Sequence, residues 1–125
     1  MNNPAAVFFY LPSCSTCMSV MKNAGITTDH FSFRDIKTTP LSAAELDRMK
    51  KMAGSYEALF SRRAILYREL GLKDRVLTEA DYRHFLLSEY TFLKRPVVII
   101  GEKIFAGSEK KNIAALMAEI RLKAR

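Results

Sequence analysis

The stretch Val7-Phe8-Phe9-Tyr10-Leu11-Pro12-Ser13-Cys14-Ser15-Thr16-Cys17 carries both cysteines of this 125-residue chain. The apolar run 5–10 has the length and composition of a short buried strand. A proline and a serine then interrupt the strand. A helix is predicted over about 15–24, and Gly25 stands in the position that usually ends a helix. The two cysteines therefore lie where a strand gives way to a helix.

This position favours a reactive thiolate at Cys14. The positive end of a helix dipole and the free backbone N–H groups of the first turn stabilise an anion there. A cysteine so placed titrates well below the ordinary value of about 8.5 and acts as a nucleophile near neutral pH. Cys17 lies one turn later on the same helix face and can resolve whatever Cys14 captures. The spacing therefore predicts redox chemistry.

Length and composition bound the class of protein. With 49% hydrophobic and 26% charged residues the chain has an ordinary globular composition, and one domain over residues 1–125 is expected. No apolar run approaches the roughly 20 residues that cross a membrane. The first residues, Met1-Asn2-Asn3-Pro4, lack the basic start of a secretory signal. A cytoplasmic location is therefore the expectation.

Cysteine and charge counts narrow the chemistry further. Two cysteines cannot build a disulfide framework, and only His30 and His84 add soft ligands, so no metal site is expected. The net charge of +7 fits a solvated basic surface, an anionic substrate or an acidic macromolecular partner. Because no basic run alternates with aromatic residues, direct nucleic-acid binding is not expected.

A helical block follows the second predicted strand. Residues 31–36 alternate apolar and polar side chains, which is typical of a strand. Ser42-Ala43-Ala44-Glu45 matches a capping box and opens a helix. A further helix is predicted over 56–70, and another opens at Thr78. The chain from 42 to about 90 is thus expected to be helical.

Strand patterns return after this block. Arg95-Pro96-Val97-Val98-Ile99-Ile100 is the run with the strongest β-propensity. Gly101-Glu102-Lys103 predicts a hairpin turn into a short strand at 104–106. A last helix is predicted from about Ser108. Its apolar face consists of Ile113, Leu116, Met117 and Ile120.

The predicted order is βαβ, a helical block, then ββα. With a C-x-x-C at the first strand-to-helix turn, this order indicates an α/β, thioredoxin/glutaredoxin-like fold with a four-stranded mixed sheet and a helical insertion. The thioredoxin-like core would cover about 5–38 and 94–123, and the insertion about 42–90. The proline that opens the third strand of such a fold is often cis and faces the cysteine pair. Pro96 is the only candidate, and the alternative is a simple strand-start proline.

Four motifs occur in order along the chain: Tyr10-x-Pro12-x-Cys14, Thr39-Pro40-Leu41-Ser42, Ser61-Arg62-Arg63 followed by Tyr67, and Lys94-Arg95-Pro96-Val97-Val98. Together they resemble those of the arsenate reductase (ArsC)/Spx family. The resemblance spans nearly the whole chain. It implies a thioredoxin-like sheet with a helical insertion, the same order that the strand and helix patterns predict.

The resemblance also implies an activity. In the arsenate-reducing members a cysteine matching Cys14 attacks bound arsenate, three arginines surround the oxyanion, and glutathione and a glutaredoxin complete the reduction. It implies a thiol-dependent oxidoreductase without a tightly bound cofactor, with glutathione/glutaredoxin or thioredoxin as electron donor. Guanidinium forks suit this task, since they bind tetrahedral oxyanions bidentately. The first family arginine maps onto Arg63, with Arg62 close behind, and the second onto Arg95.

The third family arginine has no match, because Ala106 occupies its position and Lys103 is the nearest cation. The Spx-type members resemble this chain in that absence and in their C-x-x-C; they bind the α-subunit of RNA polymerase and use the cysteine pair as a redox switch. Two functions therefore stay open. One is an oxidoreductase acting on a small oxyanion or a thiol/disulfide substrate, with Cys17 resolving and Ser13 and Pro96 shaping the substrate surface. The other is a redox-sensing transcriptional regulator. A monomer is expected for either.

Overall fold

The computed structural model describes residues 6–123. Ala5, where the first strand was predicted to begin, and the Met1-Asn2-Asn3-Pro4 start lie outside these residues. The chain forms two compact units. One, here called the sheet unit, runs through Thr39 and resumes at Arg95; the other, the helical unit, is Pro40–Lys94. Within the described residues no helix is both long and apolar enough to span a bilayer.

A mixed sheet of four strands is the frame of the sheet unit. The strands are β1 (Ala6–Tyr10), β2 (Ser32–Asp35), β3 (Val97–Ile100) and β4 (Lys103–Ala106). They lie in the order β2-β1-β3-β4. β1 and β2 are parallel, whereas β3 is antiparallel to both β1 and β4. The predicted α/β fold with a four-stranded mixed sheet is therefore confirmed.

The register of the strands decides which side chains share an end of the sheet. Phe9, near the end of β1, lies opposite Val97 at the start of β3, and Val97 lies opposite Ala106 at the end of β4. Lys103 lies at the other end of the hairpin. The turn that follows β1, the segment around Arg95 and the end of β4 therefore meet at one end of the sheet, and Lys103 belongs to the opposite end.

Two helices of the sheet unit help to form its core. α1 (Ser15–Ala24) ends at Gly25, whose left-handed backbone (φ 72°) places it at the predicted C-terminal cap. The last helix of the chain (Lys110–Lys123, labelled α5 below) begins two residues later than predicted. The buried core of the unit consists of Phe8, Cys17, Val20, Ile26, Phe31, Val98, Ile100, Phe105 and Leu116. Apolar burial therefore fixes the helix that carries Cys17 against the sheet.

The helical unit contains three α-helices and short 3-10 turns. Its α-helices are α2 (Ala43–Ala53), α3 (Ile65–Glu69) and α4 (Glu79–Ser88), with 3-10 turns at Glu57–Leu59, Leu72–Asp74 and Tyr90–Phe92. The helix starts at Ser42 and Thr78 are confirmed, because each residue forms a capping box with the side chain three positions later. These reciprocal hydrogen bonds fix where α2 and α4 begin.

The predicted continuous helix over 56–70 is wrong, because that range holds only a 3-10 turn at Glu57–Leu59 and the short helix α3. Phe60 is extended (φ −91°, ψ 131°) and forms an antiparallel bridge with Leu93. The N–H of Ser61 donates to the carbonyl of Phe92 at 2.7 Å. The ring of Phe60 is 1% exposed, so its burial and the bridge outweigh local helix propensity. Arg62 and Arg63 consequently lie in the turn before α3 rather than on a helix face.

Candidate redox site

Cys14 is the N-cap residue of α1. Its backbone is extended (φ −89°, ψ 107°), and its Sγ accepts the N–H of Cys17 at 3.3 Å. The N–H of Cys14 donates to the carbonyl of Leu11 at 3.0 Å, and its own carbonyl accepts the N–H of Met18 at 3.1 Å. The sulfur thus takes the role that a capping oxygen usually has, at the positive end of the helix.

The surroundings of Cys14 lower its pKa below that of an isolated cysteine thiol. Partial burial acts in the opposite direction, because it disfavours the thiolate. Hydrogen bonds from the backbone N–H and the thiol of Cys17, the positive charge of Arg95 and the N–H of Thr16 together outweigh that burial. Since Cys14 is only half-buried, the thiolate remains open to a substrate.

Cys17 has the opposite character. It is 0% exposed, and burial raises its pKa to about 12, with the neighbouring Cys14 sulfur acting in the same direction. A backbone interaction with Leu11 and the charge of Arg95 oppose this rise but do not overcome it. Both cysteines are free thiols. One helical turn therefore holds a partly exposed thiol with a lowered pKa and a buried thiol with a raised pKa.

Three other predicted site residues belong to the same unit. Ser13 is exposed in the turn before Cys14, and Arg95 is half-buried just before β3. The Arg95–Pro96 peptide bond is cis, as expected for the proline that opens the third strand of a thioredoxin-like fold rather than for a simple strand-start proline. Pro96 is buried, and its carbonyl accepts the N–H of Gly107 at 2.8 Å. This hydrogen bond joins the start of β3 to the residue that follows β4. The positive charge of the Arg95 guanidinium favours the thiolate form of both cysteines.

Lys103 does not replace the missing arginine. Its Nζ lies 2.9 Å from Oε1 of Glu119 on α5, and the Glu119 side chain is 8% exposed against 64% for Lys103. Lys103 also belongs to the end of the sheet away from Cys14. Sequence reasoning missed Glu119, although a signal was present. Glu119 follows Leu116 by three positions and so lies on the apolar face of α5, where a carboxylate needs a partner.

Arg62 and Arg63 belong to the helical unit and differ in their contacts there. Nη2 of Arg62 donates to Oε2 of Glu57 at 2.7 Å and to the hydroxyl of Tyr82 at 3.0 Å. Arg63 is exposed, and its backbone N–H donates to Oγ of Ser61 at 3.3 Å. The guanidinium of Arg62 is therefore engaged within its own unit.

The described geometry defines a class of protein. A C-x-x-C turn between the first strand and helix of a mixed sheet, with a cis proline opening the third strand, is the arrangement of a thioredoxin-like thiol protein. Among the residues from 6 to 123, no group of three or more His, Cys, Asp or Glu side chains is placed to hold a metal ion. The family is more specific still. The ArsC family model matches residues 9–116, and the chain belongs to that family.

Known proteins resemble the chain over most of its length. It is 28% identical over 103 residues to the uncharacterized protein YusI of Bacillus subtilis (strain 168), which covers 80% of this chain and 87% of YusI. The structure of an ArsC family related protein from Bacteroides fragilis superimposes with a TM-score of 0.77 at 23% identity, covering 92% of this chain and 99% of the other. The structure of an arsenate reductase from Vibrio cholerae superimposes with a TM-score of 0.70 at 22% identity, covering 92% of this chain and 99% of the other. These likenesses confirm the predicted thioredoxin-like fold.

Proposed function

We propose that this protein is a thiol-dependent oxidoreductase in which Cys14 attacks the substrate and Cys17 resolves the adduct. The observation that carries the proposal is the opposition of the two thiols within one helical turn. Cys14 is half-buried and its pKa is lowered, whereas Cys17 is fully buried and its pKa is raised to about 12. Membership of the ArsC family supports the same class of activity.

The contacts between the two sulfurs support an order of events. In the resting pair the Cys14 thiolate accepts hydrogen bonds from Cys17, which keeps it charged, and its charge raises the pKa of Cys17. When the Cys14 sulfur bonds to a substrate, it loses that charge and the pKa of Cys17 falls. Cys17 then becomes the better nucleophile and attacks the adduct. The pair thus reacts in sequence, because each sulfur influences the protonation of the other, while burial remains the larger cause of the raised pKa of Cys17.

Alkylation with iodoacetamide at a series of pH values, followed by mass spectrometry, tests this order. Cys14 should be modified first, at a rate that rises with the thiolate fraction and reaches half its maximum below pH 9.0. Cys17 should stay unmodified until the protein is unfolded. The Cys14→Ser and Cys17→Ser variants assign the two modifications. Equal rates at both cysteines would contradict the proposal.

Reduction of arsenate with glutathione and glutaredoxin is the finer activity that the family resemblance suggests. The family resemblance assigns oxyanion binding to Arg95 and Arg63, and within the helical unit Arg62 is the weaker candidate because Glu57 and Tyr82 hold its guanidinium. Arsenite formation by the wild type, Cys14→Ser and Arg95→Ala tests this activity. We expect it to be low, because Ala106 supplies no guanidinium; arsenite formation that is abolished by both substitutions would establish arsenate as a substrate.

Regulation through the α-subunit of RNA polymerase is a second candidate function. The helical unit exposes three large apolar side chains between residues 65 and 76, and exposed apolar side chains are available for association with another protein. They are Ile65 (72% exposed), Leu70 (52%) and Val76 (96%). A pull-down with the C-terminal domain of the polymerase α-subunit, under reducing and oxidising conditions, tests this function. Absence of binding in both states would exclude it.

A further inference from the structure

We infer that Asn112 is a positioning residue of the redox site. Its amide holds the backbone of Gly107, which in turn fixes the carbonyl of Pro96. Arg95, the residue just before Pro96, is thereby held in place relative to the cysteine pair. This role rests on the proposed function, because it concerns the reactivity of the same thiol. Asn112 would act through Arg95 and not on the substrate itself.

Pro96 and Gly107 lie opposite each other at the open end of the β3–β4 hairpin. The register pairs Val97 with Ala106, so the next pair along this antiparallel ladder is Pro96 with Gly107. The two residues of a hydrogen-bonded antiparallel pair exchange two hydrogen bonds. Here the N–H of Gly107 donates to the carbonyl of Pro96 at 2.8 Å. Because proline has no N–H, the return hydrogen bond to the carbonyl of Gly107 cannot form.

The side chain of Asn112 supplies the donor that Pro96 lacks. Its Nδ2 lies 2.8 Å from the carbonyl oxygen of Gly107, in a partly buried position. Gly107 itself is buried, and a buried carbonyl without a donor is unfavourable. The left-handed backbone of Gly107 (φ 95°) is one that a residue with a side chain rarely adopts. The backbone of Gly107 is therefore held at its N–H by Pro96 and at its carbonyl by Asn112.

The helix that carries Asn112 is itself firmly held. Asn112 lies in the first turn of α5, where the N–H of Ile113 donates to the carbonyl of Glu109 at 2.9 Å. Leu116, four positions after Asn112, is 1% exposed and belongs to the buried core of the sheet unit. The amide of Asn112 thus connects the Gly107 backbone to a helix that is anchored in the core.

The position of Pro96 matters for the thiols because Arg95 directly precedes it in the chain. The positive charge of Arg95 favours the thiolate of Cys14. The energy of this attraction depends on the separation of the two charges. If the Pro96 backbone is held less firmly, Arg95 spreads over more positions and the attraction weakens on average. Asn112 should therefore contribute to the reactivity of Cys14 through the position of Arg95.

Alkylation of Cys14 with iodoacetamide across a pH series tests the inference. Asn112→Leu removes the amide donor, keeps a similar volume and adds no charge. We expect the midpoint of the pH profile to move upward and the rate at pH 7 to fall, by less than in Arg95→Ala and so by less than about tenfold. Asn112→Gln keeps an amide donor and should recover part of the rate. Asn23→Leu, the same substitution at an exposed position of α1, is the control and should leave the profile unchanged.

A double variant shows whether Asn112 acts through Arg95. Arg95→Ala combined with Asn112→Leu should have the same midpoint as Arg95→Ala alone, because the effects of residues that act through one another do not add. A double variant whose shift equals the sum of the two single shifts would overturn the inference. Urea unfolding checks that each variant is folded at the pH values used. If Asn112→Leu does not fold, Asn112→Ala removes the same donor with less bulk and should show the same upward shift.

The positioning role and the proposed function fail in different ways. If the Asn112 variants keep the wild-type midpoint while wild-type Cys14 reacts faster than an ordinary thiol, the positioning role is wrong and the proposed function stands. If wild-type Cys14 reacts no faster than an ordinary thiol, the proposed function is wrong and the positioning role fails with it.

Discussion

The sheet unit and the helical unit each have an aromatic centre, but they place their charges differently. In the sheet unit the ring of Phe8 lies 5.2 Å from those of Tyr10 and Phe33. One ion pair, Lys103 with Glu119, has its carboxylate buried at 8% exposure. This pair lies at the end of the sheet away from Cys14, and its acidic side chain lies within the packed helix face.

The helical unit carries its ion pairs on the surface. The ring of Phe60 lies 4.9 Å from Tyr82 and 5.0 Å from Phe92. The pairs Arg62–Glu57 and Arg83–Asp47 leave each side chain between 38% and 53% exposed. Exposed pairs stabilise a fold little, because water screens them and long side chains lose freedom. Substitution of an ion-paired residue should therefore reduce stability more in the sheet unit than in the helical unit.

The largest expected effect concerns the location of the chemistry. Cys14→Ser replaces a thiolate with a hydroxyl that does not ionise near neutral pH, so substrate reduction should fall by at least about a thousandfold, as for loss of a catalytic nucleophile. Tyr56→Phe is the control, since Tyr56 lies in the helical unit and contacts Asp47. Steady-state reduction of glutathione disulfide measures both variants. Equal losses in the two would show that the chemistry is not confined to the sheet unit.

Removal of either central ring should reduce stability strongly in both units. Phe8→Ala and Phe60→Ala should each lower the free energy of unfolding by about 3–5 kcal/mol, because both rings are buried (0% and 1% exposed). Urea unfolding measures these losses. Phe8→Leu and Phe60→Leu keep most of the apolar volume and should lose less than about 1.5 kcal/mol. If an alanine variant loses no more than its leucine counterpart, the ring is not the centre of its unit.

Much of the sheet unit could be predicted from the sequence, because its signals are local. The apolar run before Cys14, the left-handed Gly25 and the Val97–Ile100 strand each follow from a few neighbouring residues. The two capping boxes of the helical unit were found for the same reason. The cis Arg95–Pro96 bond was expected from the predicted thioredoxin-like fold, since local sequence does not determine it.

The features that were missed depend on contacts distant in sequence. The extended conformation of Phe60 is set by its bridge to Leu93 and by a ring packed among aromatic neighbours from α4 and beyond. The helical periodicity of residues 56–70 does not predict the pairing of Phe60 with Leu93. Lys103 and Glu119, which form an ion pair, are 16 positions apart in the sequence. Such pairings decide which charges are free to meet a substrate, so the candidate site is less predictable than the fold.

The buried ion pair should matter more than the exposed ones. Lys103→Ala removes the Nζ donor that lies 2.9 Å from the buried Glu119 carboxylate, and the free energy of unfolding should fall by about 1–2 kcal/mol, since Lys103 itself is largely exposed. Urea unfolding at neutral pH measures this loss. Lys103→Arg is the control and should retain most of the stability. A loss in Lys103→Arg equal to that in Lys103→Ala would contradict the role of the pair.

A smaller effect is expected from the charge beside the thiol pair. Arg95→Ala removes one of the influences that lower the pKa of Cys14, so that pKa should rise toward 9.0. The alkylation rate of Cys14 at pH 7 should fall by less than about tenfold, because a full pKa unit would change the thiolate fraction tenfold and Arg95 is one of several influences. Arg95→Lys keeps the charge and should keep most of the rate. An unchanged pH profile in Arg95→Ala would show that the hydrogen bonds from Cys17 are sufficient to lower the pKa of Cys14.

The smallest effect should come from the exposed network of the helical unit. Hydrogen bonds from Arg83, and then from Tyr56, lower the pKa of Asp47 from 3.8 to about 2. Because the folded pKa lies below the unfolded one, the stabilisation is present above pH 3.8 and disappears as the pH falls toward about 2. Asp47→Asn should therefore unfold at a slightly lower temperature than the wild type at neutral pH, and the gap should narrow through that acid range. A gap that is large at neutral pH, or constant down to pH 2, would show that exposed charges support the helical unit as strongly as the buried pair supports the sheet unit.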